Sequence, residues 1–418
     1  MKHLLAITFL LLASTKFYAQ EITLKECWNW AKEYYPKAKD RQVLLENSNM
    51  RINNLQATWY PKLNLNGQAT WQNDVTWFPN PAIKAGTPPN NDQYKATIDI
   101  NQTLFDGGIT SARKKIEKTS STTEMISLDI ELYNIQKNVS DIFFLNQVLE
   151  AQERQVLLNM ENISSRIKEM ESAVNAGSIL KSELNVLNVE LLKLEQKLFD
   201  ITEGKASTIR TLSLIVGKPL SVDSTKLSLF NIDVVSNENR RLEFQLFEQQ
   251  KQTLELQSKL TSKNRMPQLT AFAQGGYGNP GLNMLKVSFE PIVYVGVKLS
   301  WNIWDWNQTS RQKRISLSSR QLIDDQKALF EQTQNTNIER SKSQITKLEK
   351  SLSLDDEIVK LRKEVTVSSK SKLQNGTLRA SDYIDDLNKE SLAELEQKIR
   401  QIQLDQARIE LMQILGQN

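Results

Sequence analysis

The stretch Val293-Tyr294-Val295-Gly296-Val297-Lys298-Leu299-Ser300-Trp301-Asn302-Ile303 decides how this chain is read. Val293, Val295, Val297, Leu299, Trp301 and Ile303 alternate with Tyr294, Gly296, Lys298, Ser300 and Asn302. A period of two puts the first set on one face of an extended strand and the second on the other. Three more segments read the same way. Leu63, Leu65, Gly67, Ala69 and Trp71 alternate with Asn64, Asn66, Gln68, Thr70 and Gln72. Ala96, Ile98 and Ile100 alternate with Lys95, Thr97, Asp99 and Asn101. Leu269, Ala271, Ala273, Gly275 and Tyr277 alternate with mostly polar partners, Phe272 being the exception. Strands are expected over 62–72, 94–104, 268–277 and 292–303, each about ten residues, the length that crosses a bilayer at a tilt.

The loops between them, 73–93 and 278–291, are rich in Pro, Asn and Gly. Aromatic residues gather near the strand ends: Trp71, Trp77, Phe78, Trp301, Trp304 and Trp306. Membrane barrels place such residues at the two interfaces. The alternative is a water-soluble antiparallel sheet that packs its apolar face on a helix.

Outward from the strands lie long helices. No Gly or Pro occurs between Ile109 and Ala176, or between Trp306 and Asn375. Helices of about 110–174 and 307–375 would be roughly 98 and 103 Å long. Returning helices over 178–216 and 378–415 would be about 58 and 57 Å. A helix is also expected ahead of each first strand, over 36–58 and 236–264, about 35 and 43 Å long. Each pair of short helices, laid end to end, matches one long helix. Heptad seams support coiled-coil packing. They are Met125, Leu128, Leu132, Ile135, Val139, Ile142; Leu184, Leu187, Leu191, Leu194, Leu198, Ile201; and Leu392, Leu395, Ile399, Ile402, Gln406, Ile409. Gln406 is a polar break in the third seam, of the kind that can fix register. The alternative is that each long run breaks into several bundle helices.

The pattern occurs twice. Phe105-Asp106 returns as Trp304-Asp305, Gly177 as Gly376, and Ile215-Val216-Gly217 as Ile414-Leu415-Gly416, always 199 residues later. Trp59-Tyr60-Pro61-Lys62-Leu63 returns as Arg265-Met266-Pro267-Gln268-Leu269, 206 residues later. This period is too long for a solenoid repeat and reads as an internal duplication, with repeats at 20–217 and 218–418.

Residues 1–19 read as a secretory signal peptide: a basic start, an apolar run from Leu4 to Leu12, and small-residue cleavage after Ala19. The one cysteine, Cys27, lies too far beyond that run to be lipidated and sits in a helical pattern, as a small buried residue. The one histidine is His3, inside the signal. The mature chain therefore lacks His-based triads, Cys-His nucleophiles and His-ligated metal sites, and it has no internal disulfide. No cofactor or metal is expected. Removing Lys2 and Lys16 from 53 basic residues leaves 51 against 49 acidic, too even a balance for a nucleic-acid partner. After the signal no apolar run approaches 18 residues, so a membrane can be crossed only by a closed β-barrel.

Four strands cannot close one. Eight is the practical minimum, with side chains filling the interior. Two chains supply eight strands and three supply twelve, and only the larger number leaves an open lumen. The expected fold is thus a mainly-α membrane protein: a trimeric β-barrel, four strands per chain, continued by a long coiled-coil α-helical barrel. Lys95, Asp99 and Lys298 fall on the polar face that would line the lumen. Asp106 and Asp305, where a strand hands over to a long helix, suit helix caps.

In order and spacing the chain resembles the outer-membrane efflux protein family typified by TolC. The matching pieces are Leu24 to Pro36, Ala57 to Leu63, Asn101-Gln102-Thr103-Leu104-Phe105-Asp106-Gly107-Gly108, Asn175-Ala176-Gly177, Asn375-Gly376-Thr377, and the Leu-x-x-x-x-Gly closures at Gly217 and Gly416. The resemblance implies a homotrimeric channel in the outer membrane of a Gram-negative bacterium, with its helical part in the periplasm. It implies a periplasmic adaptor and an inner-membrane transporter, proton-driven or ABC, as partners. It also implies that the periplasmic tip closes. The family's Gly-x-x-x-x-x-Asp-x-x-Asp falls on Gly376, Asp382 and Asp385, which three chains would assemble into rings of up to six carboxylates. Alternatively Asp382 only complements the positive end of a helix starting near Leu378. The tips Gly177-Ser178-Ile179 and Gly376-Thr377-Leu378 are implied adaptor contacts, or else plain helix reversals. Where some members carry a locking Arg, two residues after the glycine, this chain has Leu378, with Arg379 next. Glu183 matches Asp382 in the first repeat, while Val186 replaces Asp385.

The expected function is a passive exit duct of a tripartite pump or type I secretion system, with no active site. Its cargo is not legible. A structural periplasmic coiled coil or adhesin without a pore is the rival reading. A carboxylate-only hydrolase would need a compact pocket that such rods do not suggest.

Overall fold

The computed structural model describes residues 20–75, 90–176, 180–222, 225–228, 238–284, 286, 288–375 and 377–417. The expected signal segment, Trp77 and Phe78 lie outside them. Two compact units form, each drawing on both halves of the sequence. One holds Asp40–Ser127 and Phe244–Ala328; the other holds the residues up to Lys39, Leu128–Glu243 and Leu329–Asn418.

The first unit contains the four expected strands as one antiparallel sheet. They are β2 (Lys62–Trp71), β3 (Asp92–Phe105), β5 (Gln268–Asn279) and β6 (Glu290–Ser300), paired in the order β2-β3-β5-β6. The register carries the alternation straight across. Leu65, Ile98, Gly275 and Val293 form one row, and Leu63, Ile100, Ala273 and Val295 the next. Among the described residues nothing covers this apolar face: Leu65 is 80% exposed and Val295 76%. The sheet therefore does not pack its apolar face on a helix, as the soluble alternative required. Strand ends follow pairing. Segment 301–303, expected within the last strand, lies beyond it, because β5 begins at Gln268 opposite Ser300 and offers no further partner. Its polar groups turn elsewhere: Trp301 Nε1 donates to the Arg265 carbonyl at 3.1 Å, and Arg265 donates to the Ile303 carbonyl at 3.0 Å.

The helices ahead of the strands are shorter than expected. In place of 36–58 there is a single 3₁₀ turn at Pro36–Lys39, α2 at Asp40–Gln56, and a second 3₁₀ turn at Ala57–Trp59. In place of 236–264 there is α5 at Leu242–Lys263. The residues just before it are held outside the helix: Arg240 N–H donates to the Leu415 carbonyl at 2.7 Å, and Arg241 N–H to Asn239 Oδ1 at 3.2 Å.

The second unit is mainly helical. The long helices α3 (Ile109–Asn175) and α6 (Gln308–Gln374), which begin in the first unit and continue into the second, have 67 residues each without a break, about 100 Å at 1.5 Å per residue. The alternative of several shorter bundle helices does not hold. The returning helices α4 (Lys181–Val216) and α7 (Ala380–Leu415) have 36 residues each. Both end in a left-handed glycine, Gly217 at φ 67° and Gly416 at φ 72°, the usual device for closing a helix. Among the described residues no helix is long and apolar enough to cross a membrane.

Two apolar clusters carry this unit. Val139, Phe143 and Phe144 of α3, Ile209, Leu212 and Val216 of α4 and Ile402, Ile409 and Met412 of α7 enclose Ile22, Leu24, Cys27, Trp28 and Ala31. The last four belong to α1 (Leu24–Tyr34), opened by a Thr23–Glu26 capping box. Burial pushes the Cys27 thiol up to about 12. A short parallel pair that the periodicity did not announce, β1 (Gln20–Thr23) with β4 (Thr225–Ser228), borders this cluster. Farther along, Val156, Ile163, Ile167 and Met170 of α3 meet Leu187, Leu194 and Ile201 of α4. The first two heptad seams are thus buried as expected. The third is buried only in part: Ile402 and Ile409 are buried, but Leu392 is exposed while Ser391 and Ala393 are buried. Helix α7 buries two flanks, Ile402 and Ile409 in the first cluster and Leu404 with Ala407 against Leu348 of α6, so a single stripe does not describe it.

Candidate functional site: the helical tip and the polar sheet face

At the tip, helix α6 closes on Thr377, whose N–H and hydroxyl both donate to the Lys372 carbonyl, at 2.9 and 3.0 Å. Gly177, Ser178, Ile179 and Gly376 lie outside the described residues. Leu378 is half-buried and packs with Leu373 on the second apolar cluster, so only part of its side chain is open to a partner. Arg379 takes the N-cap position of α7 with an extended backbone and provides no side-chain cap.

The acids that follow separate into three environments. Asp382 is exposed in the first turn of α7, where a carboxylate complements the positive helix end. Asp385 is exposed and forms an ion pair with Lys389 one turn on. Asp386, which the sequence reading did not single out, turns onto α6 and accepts from Ser369 Oγ at 2.5 Å, while its carbonyl accepts from Thr366 Oγ1 at 3.3 Å. Asp382 and Asp385 are thus brought to one exposed turn, and Asp386 serves the helix pair.

Between these acids, Tyr383, Ile384 and Leu387 point the other way, into the second apolar cluster. There the structure places a residue that sequence reasoning missed. Arg166 of α3 is only 6% exposed, and its guanidinium lies over the Tyr383 ring, 5.0 Å from the centroid. Glu169, one turn along α3, pairs with it. A second polar contact follows at the next level, where Ser391 Oγ donates to Asn159 Oδ1 at 2.5 Å. Gln155 reaches Glu394 at 3.5 Å, and Lys363 pairs with Glu394 at 2.7 Å. This row ties α7 to α3 across an otherwise apolar contact. The available signal was a cation beside the heptad step Ile163, Ile167, Met170, where a solvated charge has no place.

In the sheet unit, Lys95, Asp99 and Lys298 share the polar face, as the alternation predicts. The register spaces them along it: Lys95 stands opposite Gln68 and Gly278, Asp99 opposite Asn64 and Gln274, and Lys298 opposite Thr270. Four residues separate successive levels, roughly 13 Å, so they form a ladder of charge and no single site. Asp99 is held by Asn66 Nδ2 at 2.6 Å and Gln274 Nε2 at 2.5 Å. Phe272, the apolar exception, stacks edge-on with Tyr294 at 6.0 Å. It lies over Gly296, where an added Cβ would come within 2.6 Å of its ring.

Asp106 and Asp305 cap the two long helices. Asp106 accepts from the N–H groups of Gly108 at 2.8 Å and Thr110 at 2.6 Å. Burial works to raise its pKa, but the hydrogen bonds from Thr110 and Gly108 outweigh it and leave the carboxyl below its ordinary value. Asp305 accepts from Thr309 N–H at 2.9 Å, and that bond lowers its pKa, with a smaller contribution from Arg265. The turns are alike as well. Gly107 and Gly108 have φ of 67° and 86°, and Trp306 and Asn307 adopt the same left-handed region at 51° and 62°.

No known protein-family profile and no curated relative matches the sequence. Solved structures do match along almost the whole chain. CusC, described as forming a transmembrane channel, aligns with a TM-score of 0.74 at 11% identity, covering 96% of this chain and 94% of its own. The outer membrane protein VceC of Vibrio cholerae aligns at 0.67 and 16% identity, covering 94% and 96%. The CmeC outer membrane channel of Campylobacter jejuni aligns at 0.68 and 12%, covering 94% and 85%. The chain has the fold of these outer-membrane channels, the fold that the resemblance read in its sequence implies.

Proposed function

We propose that this protein is the outer-membrane exit duct of a tripartite efflux pump or type I secretion system, a passive channel without catalytic chemistry. One observation carries the reading: a four-stranded sheet with one face fully apolar and exposed, the other polar, and both edges open. Edge strands β2 and β6, of ten and eleven residues, leave a row of backbone donors and acceptors unpaired. Water penalises the exposed apolar face, and lipid penalises the unpaired edges. Lipid against the apolar face and strands of sister chains against the edges satisfy both, and three chains give twelve strands around a wet lumen. The helical unit supports the same assembly. Leu354, Ile358, Leu361 and Val365 of α6, at heptad steps of four and three, are all exposed in the single chain. The equal helix lengths and matching caps support an internal duplication.

Within this reading the tip is the gate. Asp382 from three chains gathers charge there, with Asp385 partly neutralised by Lys389. The Arg166–Tyr383 contact latches α7 to α3, in place of an Arg at position 378. Leu180, exposed beside the first tip, and Thr377 with Leu378 at the second face a periplasmic adaptor, which joins the duct to an inner-membrane transporter, proton-driven or ABC. Conductance of the purified protein in planar bilayers tests the function. Discrete channel steps from a trimer are expected; a trimer, or a monomer, that stays silent would leave a structural coiled coil without a pore.

A further inference from the structure

A band of positive charge lies directly beyond the strands. In residues 107–120 the basic side chains are Arg113, Lys114, Lys115 and Lys118, against the single acid Glu117, which pairs with Arg51 at 3.2 Å. In residues 306–320 they are Arg311, Lys313, Arg314 and Arg320, with no acid at all. Arg113, Lys115, Lys118, Lys313 and Arg314 are exposed, and among the described residues no carboxylate lies within ion-pair distance of them. Neither long helix has an acid in its first turn. A band of exposed cations without carboxylate partners points to an anion from outside.

The neighbouring aromatics say where that anion lies. Trp304 and Trp306 are 68% and 78% exposed, edge-to-face at 5.9 Å. Trp306 holds its left-handed backbone where the first half of the chain uses glycine. Exposed indoles next to an exposed apolar sheet mark a headgroup level. The headgroup layer is about 5–8 Å deep beyond the hydrocarbon. Arg113 and Lys313 sit about 6–8 Å along their helices and Lys118 about 14 Å, within reach for side chains that extend toward an interface.

The geometry points to a collar that binds anionic phospholipid headgroups of the leaflet on the helical side of the sheet. It rests on the sheet spanning a bilayer. The band is spread over two helices, fits many phosphates and specifies none, so the partner is a lipid annulus and no single pocket is built.

The test uses the full-length protein in vesicles of phosphatidylcholine containing spin-labelled phosphatidylglycerol or spin-labelled phosphatidylcholine, read as motionally restricted lipid. At low salt the protein is expected to prefer phosphatidylglycerol about fivefold, the effect of one cation near an anionic surface. In 1 M salt, where the screening length is about 3 Å, the preference disappears. The variant Arg113→Gln, Lys115→Gln, Lys118→Gln, Lys313→Gln, Arg314→Gln loses it at low salt while still restricting phosphatidylcholine. Equal association of the two lipids with the natural protein overturns the proposal and leaves the band to an acidic protein. A preference untouched by salt overturns it also, without need of the variant. If neither lipid is restricted, the spanning sheet itself has failed, a result distinct from loss of selectivity.

Discussion

Replacing Arg166 by Met is expected to open the duct. The guanidinium is buried, its ring partner Tyr383 is 8% exposed, and both stand where α7 meets α3. Methionine keeps the apolar stem and removes the charge. A desolvated cation–π contact is worth about 2 kcal/mol, against 0.5–1 at an exposed site. The ion pair with Glu169 adds little, because that carboxylate is 53% exposed. A value of about 1.3 kcal/mol per chain is reasonable, midway in that range. If three chains open together, the bias sums to about 4 kcal/mol, nearly three decades in the closed-to-open ratio. A resting population of about 1 open in 100 becomes about 8 to 1 in favour of open. Single-channel recording reads this directly as open probability. Tyr383→Leu, which keeps burial and removes the π face, gives the same increase. The double variant gives no more than either alone, since one contact is being removed twice. Additive increases, or an open probability unmoved in both single variants, refute the latch.

Two further outcomes follow from the helix ends. Gly217→Ala places a Cβ in a left-handed residue and within 2.1 Å of the Tyr34 ring, so thermal unfolding of the purified protein should fall by several degrees, more than for an exposed Gly→Ala elsewhere. Asp106→Asn should cost about 0.5 kcal/mol near neutral pH, because Asn still caps and only the charge that complements the positive helix end is lost. The folded pKa of Asp106 is depressed, so its contribution is present above the unfolded value of about 3.9 and is lost as pH falls through the folded value. Chemical denaturation at pH 7 and at progressively lower pH should show the two proteins converging, and a gap that persists in acid refutes the assignment.

The strands were legible because their two faces meet different surroundings. Lys95, Thr97 and Asp99 on one side and Ala96, Ile98 and Ile100 on the other leave a period of two that any reading finds. The long helices were legible from the absence of Gly and Pro. Strand ends were not, since Ser300 closes β6 only because Gln268 opens β5. The β1–β4 pair was hidden for the same reason: four residues pair with four others, Gln20 opposite Thr225, with no local pattern on either side. At the tip, the family resemblance singled out Asp382 and Asp385 but could not rank them. Their difference comes from Lys389, one turn away, and from a register that points Asp386 inward. Arg166 escaped because a cation in a long charged helix reads as solvated until its neighbours are known.

The two helix pairs are joined by different physics, and that bears on which can move. Helices α3 and α4 share a continuous apolar contact through Ile163, Met170, Leu187 and Leu194. Helices α6 and α7 share one small apolar patch at Leu348, Leu404 and Ala407, and are otherwise laced by charge: Asp355 with Arg400, Glu349 with Arg408 at 2.9 Å, Asp356 with Gln397 at 2.5 Å. The exposed Glu349–Arg408 pair is worth at most about 1 kcal/mol and can exchange partners with water, whereas Asp355 is buried beside Arg400. A buried leucine truncated in the first pair costs about 2–5 kcal/mol. Contacts between α6 and α7 are therefore weaker than those between α3 and α4, yet α7 is also anchored by Tyr383, Ile384 and Leu387 in the second apolar cluster and by Ile402, Ile409 and Met412 in the first. Under the proposed gating, opening the tip means parting Tyr383 and its apolar neighbours from α3, and the Arg166–Tyr383 contact adds about 1.3 kcal/mol per chain to that cost.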